Sequence, residues 1–170
     1  MRHKNYILLS VVVVLLQVLL LNNITISTLL APTLYIVCVA MMPIEWSQLR
    51  VFLSALAIAV VMDVTMGTCG LNVIVTLPIA FFRRPIMHYL AGISDISSDE
   101  GIPSIKRMGA RFHRYIATIV TLHSILFFAV ESLSFASFGI WLERLLCSTL
   151  ATLVLAYTLI ILFETKSSSK

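Results

Sequence analysis

The chain contains very little charge. Only 12% of its 170 residues are charged, 59% are hydrophobic, and the mean hydropathy is +1.01. Soluble domains keep roughly a quarter of their residues charged. The shortage excludes an ordinary soluble domain and predicts an integral membrane protein.

The sequence also lacks the short motifs of catalysis. It has no glycine-rich phosphate loop, no His-Glu-x-x-His, no Gly-x-Ser-x-Gly and no paired carboxylates at catalytic spacing. Its cysteines, Cys38, Cys69 and Cys147, show neither metal-ligand spacing nor a disulfide framework. We therefore predict a protein that is not an enzyme, with no catalytic or metal-binding residues and no cofactor.

Long apolar runs fill most of the chain. A membrane-spanning helix needs about 20 apolar residues, and we identify six candidate runs around one longer polar loop, 92–114. Because the runs are continuous, they predict a compact all-α bundle rather than barrel strands. The first run has a basic start but no small-residue cleavage site, so we expect it to remain as an anchor. The predicted spans are 6–21, 29–42, 49–66, 71–90, 115–130 and 138–163.

The positions of the cations predict an orientation. If six spans alternate, eleven of the twelve Lys and Arg residues lie on one side of the membrane. The positive-inside rule makes that side cytoplasmic and places both termini there. We interpret the excess charge as attraction to anionic lipids, with no nucleic-acid partner. The predicted cytoplasmic anchors are Arg83 and Arg84, which would reach into the headgroups, and Lys106, Arg107 and Arg111.

The third span has small residues and one acid at intervals of four. Residues four apart share a helix face, and small side chains let helices approach closely. This face therefore predicts contact with another helix, in the same subunit or in a partner. Its acid either caps the start of the next helix or faces a partner or ligand. The face comprises Ala55, Ala59, Asp63 and Gly67, followed by the candidate turn and cap residues Gly70 and Asn72.

Other polar residues lie within or beside the apolar runs. Gln17 is a candidate for an interior hydrogen bond. His123 has no acid at helical spacing, which favours a buried histidine over proton transfer. Arg144 is expected to pair with one of the outer acids Glu131, Glu143 and Asp63.

The polar loop has an amphipathic pattern of its own. Apolar residues recur at near-helical spacing between Ile102 and Phe112. This pattern predicts an interfacial helix over 103–112. Such a helix either rests on the lipid surface or docks a cytoplasmic partner.

Several segments, taken in order, resemble the MreD family of bacterial rod-shape-determining membrane proteins. Motifs carry the resemblance in the first half, and length, span count and topology carry it in the second. Family members often have glycine where Ala55 and Ala59 stand, so this face is slightly bulkier here. The matching residues are Leu15-Leu16-Gln17, Pro32-Thr33-Leu34, Pro43 and Ala59-x-x-x-Asp63-x-x-x-Gly67-x-x-Gly70-Leu71.

The resemblance implies a non-catalytic scaffold of the cell-elongation complex, in the bacterial inner membrane, that supports cell shape and lateral-wall peptidoglycan synthesis. The implied partners are an MreC-like bitopic protein, the MreB filament, the RodA glycosyltransferase and a class B penicillin-binding protein. The implied fold is similar to the substrate-binding subunits of energy-coupling-factor vitamin transporters. That similarity supplies an alternative function, a small-molecule carrier that uses Asp63, Asn72 and Arg144. A third hypothesis, an intramembrane enzyme, rests on His123 and the acids alone.

Overall fold

The computed structural model describes residues 3–21, 30–91, 101–131 and 138–168. Within these ranges every regular element is helical. Two of the helices continue into a π-helical turn. The elements are α1 (His3–Leu16) with its π turn (Gln17–Leu21), α2 (Ile36–Ala40), α3 (Gln48–Met66), α4 (Leu71–Ile86) with its π turn (Met87–Ala91), α5 (Ile105–Met108), α6 (Ala110–Glu131) and α7 (Phe138–Ser168).

Three described helices, α3, α6 and α7, are long and apolar enough to cross a membrane. They confirm a helical membrane protein, as the composition predicts. The apolar stretch Tyr6–Leu21 is shorter, and α4 has 16 residues with arginines in its last turn. The described helices therefore do not provide six membrane-length spans.

The second predicted span, 29–42, is not a membrane-length helix. Its described part has no regular structure over 30–33 and contains only the five-residue helix α2. Pro32 explains the break, because proline donates no amide hydrogen bond and disfavours helical geometry at the residue before it. From Leu34 to Met42 every side chain is at most 2% exposed. This segment is therefore enclosed by protein.

Helix α6 lies at the centre of the fold. It contacts α2, α4, α5 and α7. Of its apolar membrane-length stretch, 44% is buried inside the protein, against 28% for α3 and 22% for α7. Its buried face includes Phe112, Ile116 and Ile119. The large exposed apolar side chains lie instead on outward faces. Examples are Val64 of α3 and Leu150 of α7.

The small-residue face of α3 packs inside the subunit. Ala55 and Ala59 are completely buried, together with Val51 and Met62, and α3 packs chiefly against α4. The alanines therefore serve internal helix packing. The alanines are fully enclosed by this chain's own residues, so the helix that the face contacts lies in the same subunit.

Gly67 ends α3 and does not take part in this packing. It has a left-handed conformation (φ 65°, ψ 31°) at the C-cap, and a Cβ atom added there would meet nothing within 4 Å. Gly70 is also left-handed (φ 95°) and immediately precedes α4. Gly67 is required for the turn, so its assignment to the packing face is wrong.

The polar loop, predicted over 92–114, is shorter and its helix is less extensive than predicted. Helix α6 begins at Ala110, and Gly109 (φ 55°, ψ −138°) interrupts the predicted helix over 103–112, leaving only α5. Ile102, Met108 and Phe112 are buried in the protein core. The apolar face therefore packs on the subunit and not on a lipid surface. Residues 92–100 lie outside the described ranges.

Replacing Gly67 with Ala is expected to destabilise the protein by about 1 kcal/mol, because the left-handed backbone is strained for an L side chain. The measurement is equilibrium unfolding in detergent micelles. Gly139→Ala is the matched control, since Gly139 lies in α7 with equally open surroundings and no positive φ. Alanine forms helices better than glycine, so the control should be neutral or slightly stabilised. Equal losses in both variants would contradict the role assigned to Gly67.

Candidate functional site: a buried polar network

A chain of hydrogen-bonded side chains crosses the core and joins α3, α4 and α6 to the segment 30–35. It runs from Asp63 through Asn72 and Tyr35 to His123 and Thr33. We call these five residues the buried polar network. Three of them, Asn72, Tyr35 and His123, are completely buried.

Asp63 anchors the turn between α3 and α4. Its carboxylate accepts hydrogen bonds from the backbone N–H groups of Asn72 (2.9 Å) and Val73 (3.0 Å), in the first turn of α4. It also accepts from the Thr68 hydroxyl (2.5 Å) and the Asn72 side-chain amide (3.1 Å). A helix start has free amides and favours negative charge. The geometry is that of a helix cap, one of the two interpretations of this acid.

The Tyr35 hydroxyl is the junction of the network. It lies 2.9 Å from Asn72 Oδ1 and 2.9 Å from His123 Nε2, with Thr76 Oγ1 at 3.1 Å. Because Asn72 Oδ1 only accepts, we assign the phenol hydrogen to that bond, so His123 Nε2 donates to Tyr35. His123 Nδ1 then accepts from the Thr33 hydroxyl at 3.3 Å. The donors along this chain all point towards the carboxylate.

The other end of the network secures the non-helical segment 30–35. Irregular backbone at membrane depth is tolerated where protein groups satisfy its N–H and C=O groups. Here the partners come from α7 and from the π turn after α1, where Gln17 uses both ends of its amide. The bonds join Ala31 N to Ser148 Oγ (3.0 Å), Thr33 N to Thr152 Oγ1 (3.2 Å), Leu34 N to Gln17 Oε1 (2.7 Å) and Gln17 Nε2 to the Pro32 carbonyl (3.1 Å).

Arg83 forms a second buried polar centre. Its side chain is 2% exposed, and its guanidinium donates to the carbonyls of Ala40 and Met42 and to the Tyr115 hydroxyl. These carbonyls end α2, where positive charge is favoured. The prediction that Arg83 anchors the chain in the headgroups is therefore wrong, because the end of α2 holds it inside the protein.

The other predicted anchors lie nearer the surface. Arg84 is half-buried and donates to the Trp46 carbonyl at 2.8 Å, while Lys106, Arg107 and Arg111 are exposed. Adjacent residues point about 100° apart around a helix, so Arg83 and Arg84 have different surroundings. A pair of neighbouring arginines does not reveal this difference in the sequence.

At the other end of α6, Arg144 pairs with Glu131 at 3.3 Å. Its guanidinium also lies over the Phe128 ring, 5.6 Å from the centroid. Asp63 and Asn72 bond to each other. The three residues proposed for a carrier pocket are thus engaged in two separate groups of protein contacts.

Sequence reasoning does not single out Thr33, Tyr35, Thr76 and Thr152 as site residues. The available signal is a polar side chain within an apolar run. These residues come together because the break at Pro32 directs the segment 30–35 into the core, which the sequence does not show.

No group of three His, Cys, Asp or Glu residues in the described ranges is arranged to hold a metal ion. No family model, curated protein or solved structure matches this chain. These comparisons therefore place it in no family.

Replacing Tyr35 with Phe is expected to lower the free energy of unfolding by about 1–3 kcal/mol, because Asn72 Oδ1 loses its donor in the core. The measurement is equilibrium unfolding in mixed micelles. Tyr157→Phe is the control, since that hydroxyl makes one bond, to the His113 carbonyl, near the surface. The control should lose less than about 1 kcal/mol. A Tyr35→Phe loss no greater than the control's would argue against the junction.

Two substitutions of Asp63 separate capping from a charge-dependent role. Asn caps helices about as well as Asp, whereas Ala costs about 0.5–2 kcal/mol. If capping is the whole role, Asp63→Asn should keep partner recovery and lose only the bond from the Val73 N–H, which an amide NH2 group cannot accept, whereas Asp63→Ala should lose all four bonds and more stability. Unfolding and co-purification are measured on the same preparations. Stable Asp63→Asn protein that loses its partners would show that the charge itself is required.

Proposed function

We propose that this chain is a non-catalytic membrane scaffold, similar to MreD proteins, that regulates the cell-elongation complex. It supports cell shape and lateral-wall peptidoglycan synthesis by helix–helix contacts with partner membrane proteins. The proposed partners are an MreC-like bitopic protein first, and then MreB, RodA and a class B penicillin-binding protein, directly or through the complex. The proposed location is the bacterial inner membrane.

The observation that best supports the proposal is that the separate MreD-like segments meet in space. Gln17, from the first segment, bonds to Pro32 and Leu34, from the second. The third segment approaches the second through their flanking residues: Tyr35, directly after the second segment, donates to Asn72, directly after the third. Segments that resemble MreD separately along the chain thus lie next to one another in the fold, as expected if the chain has the MreD architecture.

The outer surface supports a scaffold that works by helix packing. The polar network bonds internally, whereas the outward faces of α3 and α7 are apolar. Without a hydrophobic force between helices in lipid, such faces associate by close packing with other transmembrane helices. Exposed apolar residues on these faces are Leu53 (54%), Val60 (44%), Val64 (78%), Leu150 (62%) and Val154 (65%).

Six membrane passages complete the proposal. The segment 30–46 supplies one of them as an enclosed, mostly non-helical crossing: it starts beside Gln17 and ends where the Trp46 ring meets Tyr6 of α1, with 5.4 Å between centroids. Helices α1, α3, α4, α6 and α7 supply the others. Alternating passages place both termini on the cytoplasmic side. The architecture is then similar to a vitamin-transporter binding subunit.

One observation favours the alternative, a small-molecule-binding subunit of a vitamin-type transporter. Broken helices at membrane depth are typical of transporter binding sites, and the segment before α2 has this character. The polar groups around it are hydrogen-bonded to one another. A ligand would therefore have to displace protein contacts.

The test of the scaffold proposal is residue-specific photo-crosslinking in the native membrane, followed by mass spectrometry. A crosslinker at Val64 or Val154, on the outward faces, should capture an MreC-like protein or elongation enzymes. A crosslinker at Met62, which is completely buried on the same helix as Val64, is the matched control and should capture none. Depletion of the protein should also abolish rod shape.

Other outcomes would overturn the scaffold. Capture of an ATPase pair and a coupling membrane subunit, with a vitamin-like molecule retained through purification, would establish the carrier. Normal rod growth on depletion would contradict a role in elongation.

A further inference from the structure

Three arginines lie close together in the chain where α6 begins. Arg107 lies in α5, and Arg111 and Arg114 lie in the first two turns of α6; all three are exposed. Among the described residues, none forms a hydrogen bond or ion pair with their guanidinium groups, although the Arg107 backbone N–H donates to the Ser104 carbonyl. The first turn of α6 contains no acid. We call the three residues the arginine corner.

Within the described part of the chain, the arginine corner is electrostatically unfavourable. The N-terminal end of a helix is its positive end and repels cations within the first turn. Arg111 and Arg114, three residues apart, are neighbours on one helix face and repel each other. The apolar residues beneath, Met108 (7% exposed) and Phe112 (0%), fix the corner on the core. A bound anion would offset both repulsions.

Aromatic side chains place the corner at a membrane interface. Tyr157 of α7 lies against His113, with 5.4 Å between ring centroids, and donates to its carbonyl at 3.0 Å. Trp141 lies about 24 Å from Tyr157 along α7 and donates to the Phe128 carbonyl at 2.8 Å. Tyr and Trp concentrate at the two interfaces of a membrane, and this separation approaches the apolar thickness of a bilayer.

We propose that Arg107, Arg111 and Arg114 bind the phosphate headgroup of an anionic phospholipid of the inner leaflet. Guanidinium groups match phosphate oxygens with paired hydrogen bonds. A lipid is favoured over a protein partner because the corner lies beside Tyr157, at the level where Tyr concentrates at the membrane interface.

The assignment to the inner leaflet depends on the orientation given in the proposed function. The contact with the headgroup itself does not depend on elongation partners. The test uses purified full-length protein in nanodiscs of phosphatidylcholine with increasing phosphatidylglycerol. Phosphatidylglycerol should raise the melting temperature of the wild type. Arg111→Gln loses its charge-assisted hydrogen bonds to the phosphate as well as its charge, so its affinity should fall about 10- to 100-fold. The variant therefore needs more phosphatidylglycerol for the same shift, and Arg114→Gln should behave alike.

Arg50→Gln is the matched control. It removes one exposed cation at the start of α3, outside the corner, and should lose only the general attraction to an anionic surface, a weakening of about fivefold at most. Equal responses in Arg111→Gln and Arg50→Gln would overturn the site, since the attraction would then reflect net charge.

Two further arms identify the ligand. Equal stabilisation by soluble glycerol phosphate would overturn the lipid assignment in favour of a free phosphate compound, and stronger stabilisation by polyglutamate would overturn it in favour of an acidic protein. If Arg111→Gln fails to fold, Arg114→Gln supplies the comparison. No elongation protein is present in these experiments, so a negative result contradicts the lipid site and leaves the scaffold proposal standing.

Discussion

The fold depends on satisfying the backbone of the segment 30–35. Its N–H and C=O groups lie in the core, and an unsatisfied group in hydrocarbon costs several kcal/mol. Gln17 and Thr152 meet this need from opposite ends of the chain, which brings α7 and the end of α1 to the same segment. Tyr35 is then enclosed beside α4 and α6, where its hydroxyl joins the two helices. The arrangement of the helices around the centre thus follows from one short break in helical structure.

The predictable and unpredictable parts of this structure differ in their physical origin. Helix α3 follows from a long apolar run and cap residues, and Gln48–Met66 agrees with the predicted 49–66 to one residue. Helix α7 begins at Phe138, the predicted start, but continues beyond the predicted 163 to Ser168. The segment 29–42 is equally apolar, but Pro32 and complete enclosure by other elements make it irregular, and enclosure is a property of the whole fold. For the same reason the sequence places Arg83 at the lipid surface, although the carbonyls at the end of α2 hold it inside. The cap formed by Asp63 could be predicted from the sequence as one of two interpretations, because Asp63 and the start of α4 are close together in the chain.

The polar network gives the protein a rigid interior and leaves its outward helix faces free to pack. Hydrogen bonds in a low-dielectric interior strengthen one another, and each partner left alone is costly. A network that joins Asp63 to His123 across several helices therefore favours one arrangement of the bundle. Under the proposed scaffold function, this rigidity would present partner helices with surfaces whose relative positions are fixed.

The enclosed segment also affects the order in which the protein is built. Ala31 and Thr33 are separated by 117 and 119 residues from the side chains that receive their amide hydrogens. During synthesis, residues 30–35 are made well before α7. The segment then lacks its final partners and cannot stand in lipid as an independent helix. The backbone of this segment therefore acquires its final hydrogen-bond partners only when α7 is made, and a chain that ends before residue 148 lacks both of them.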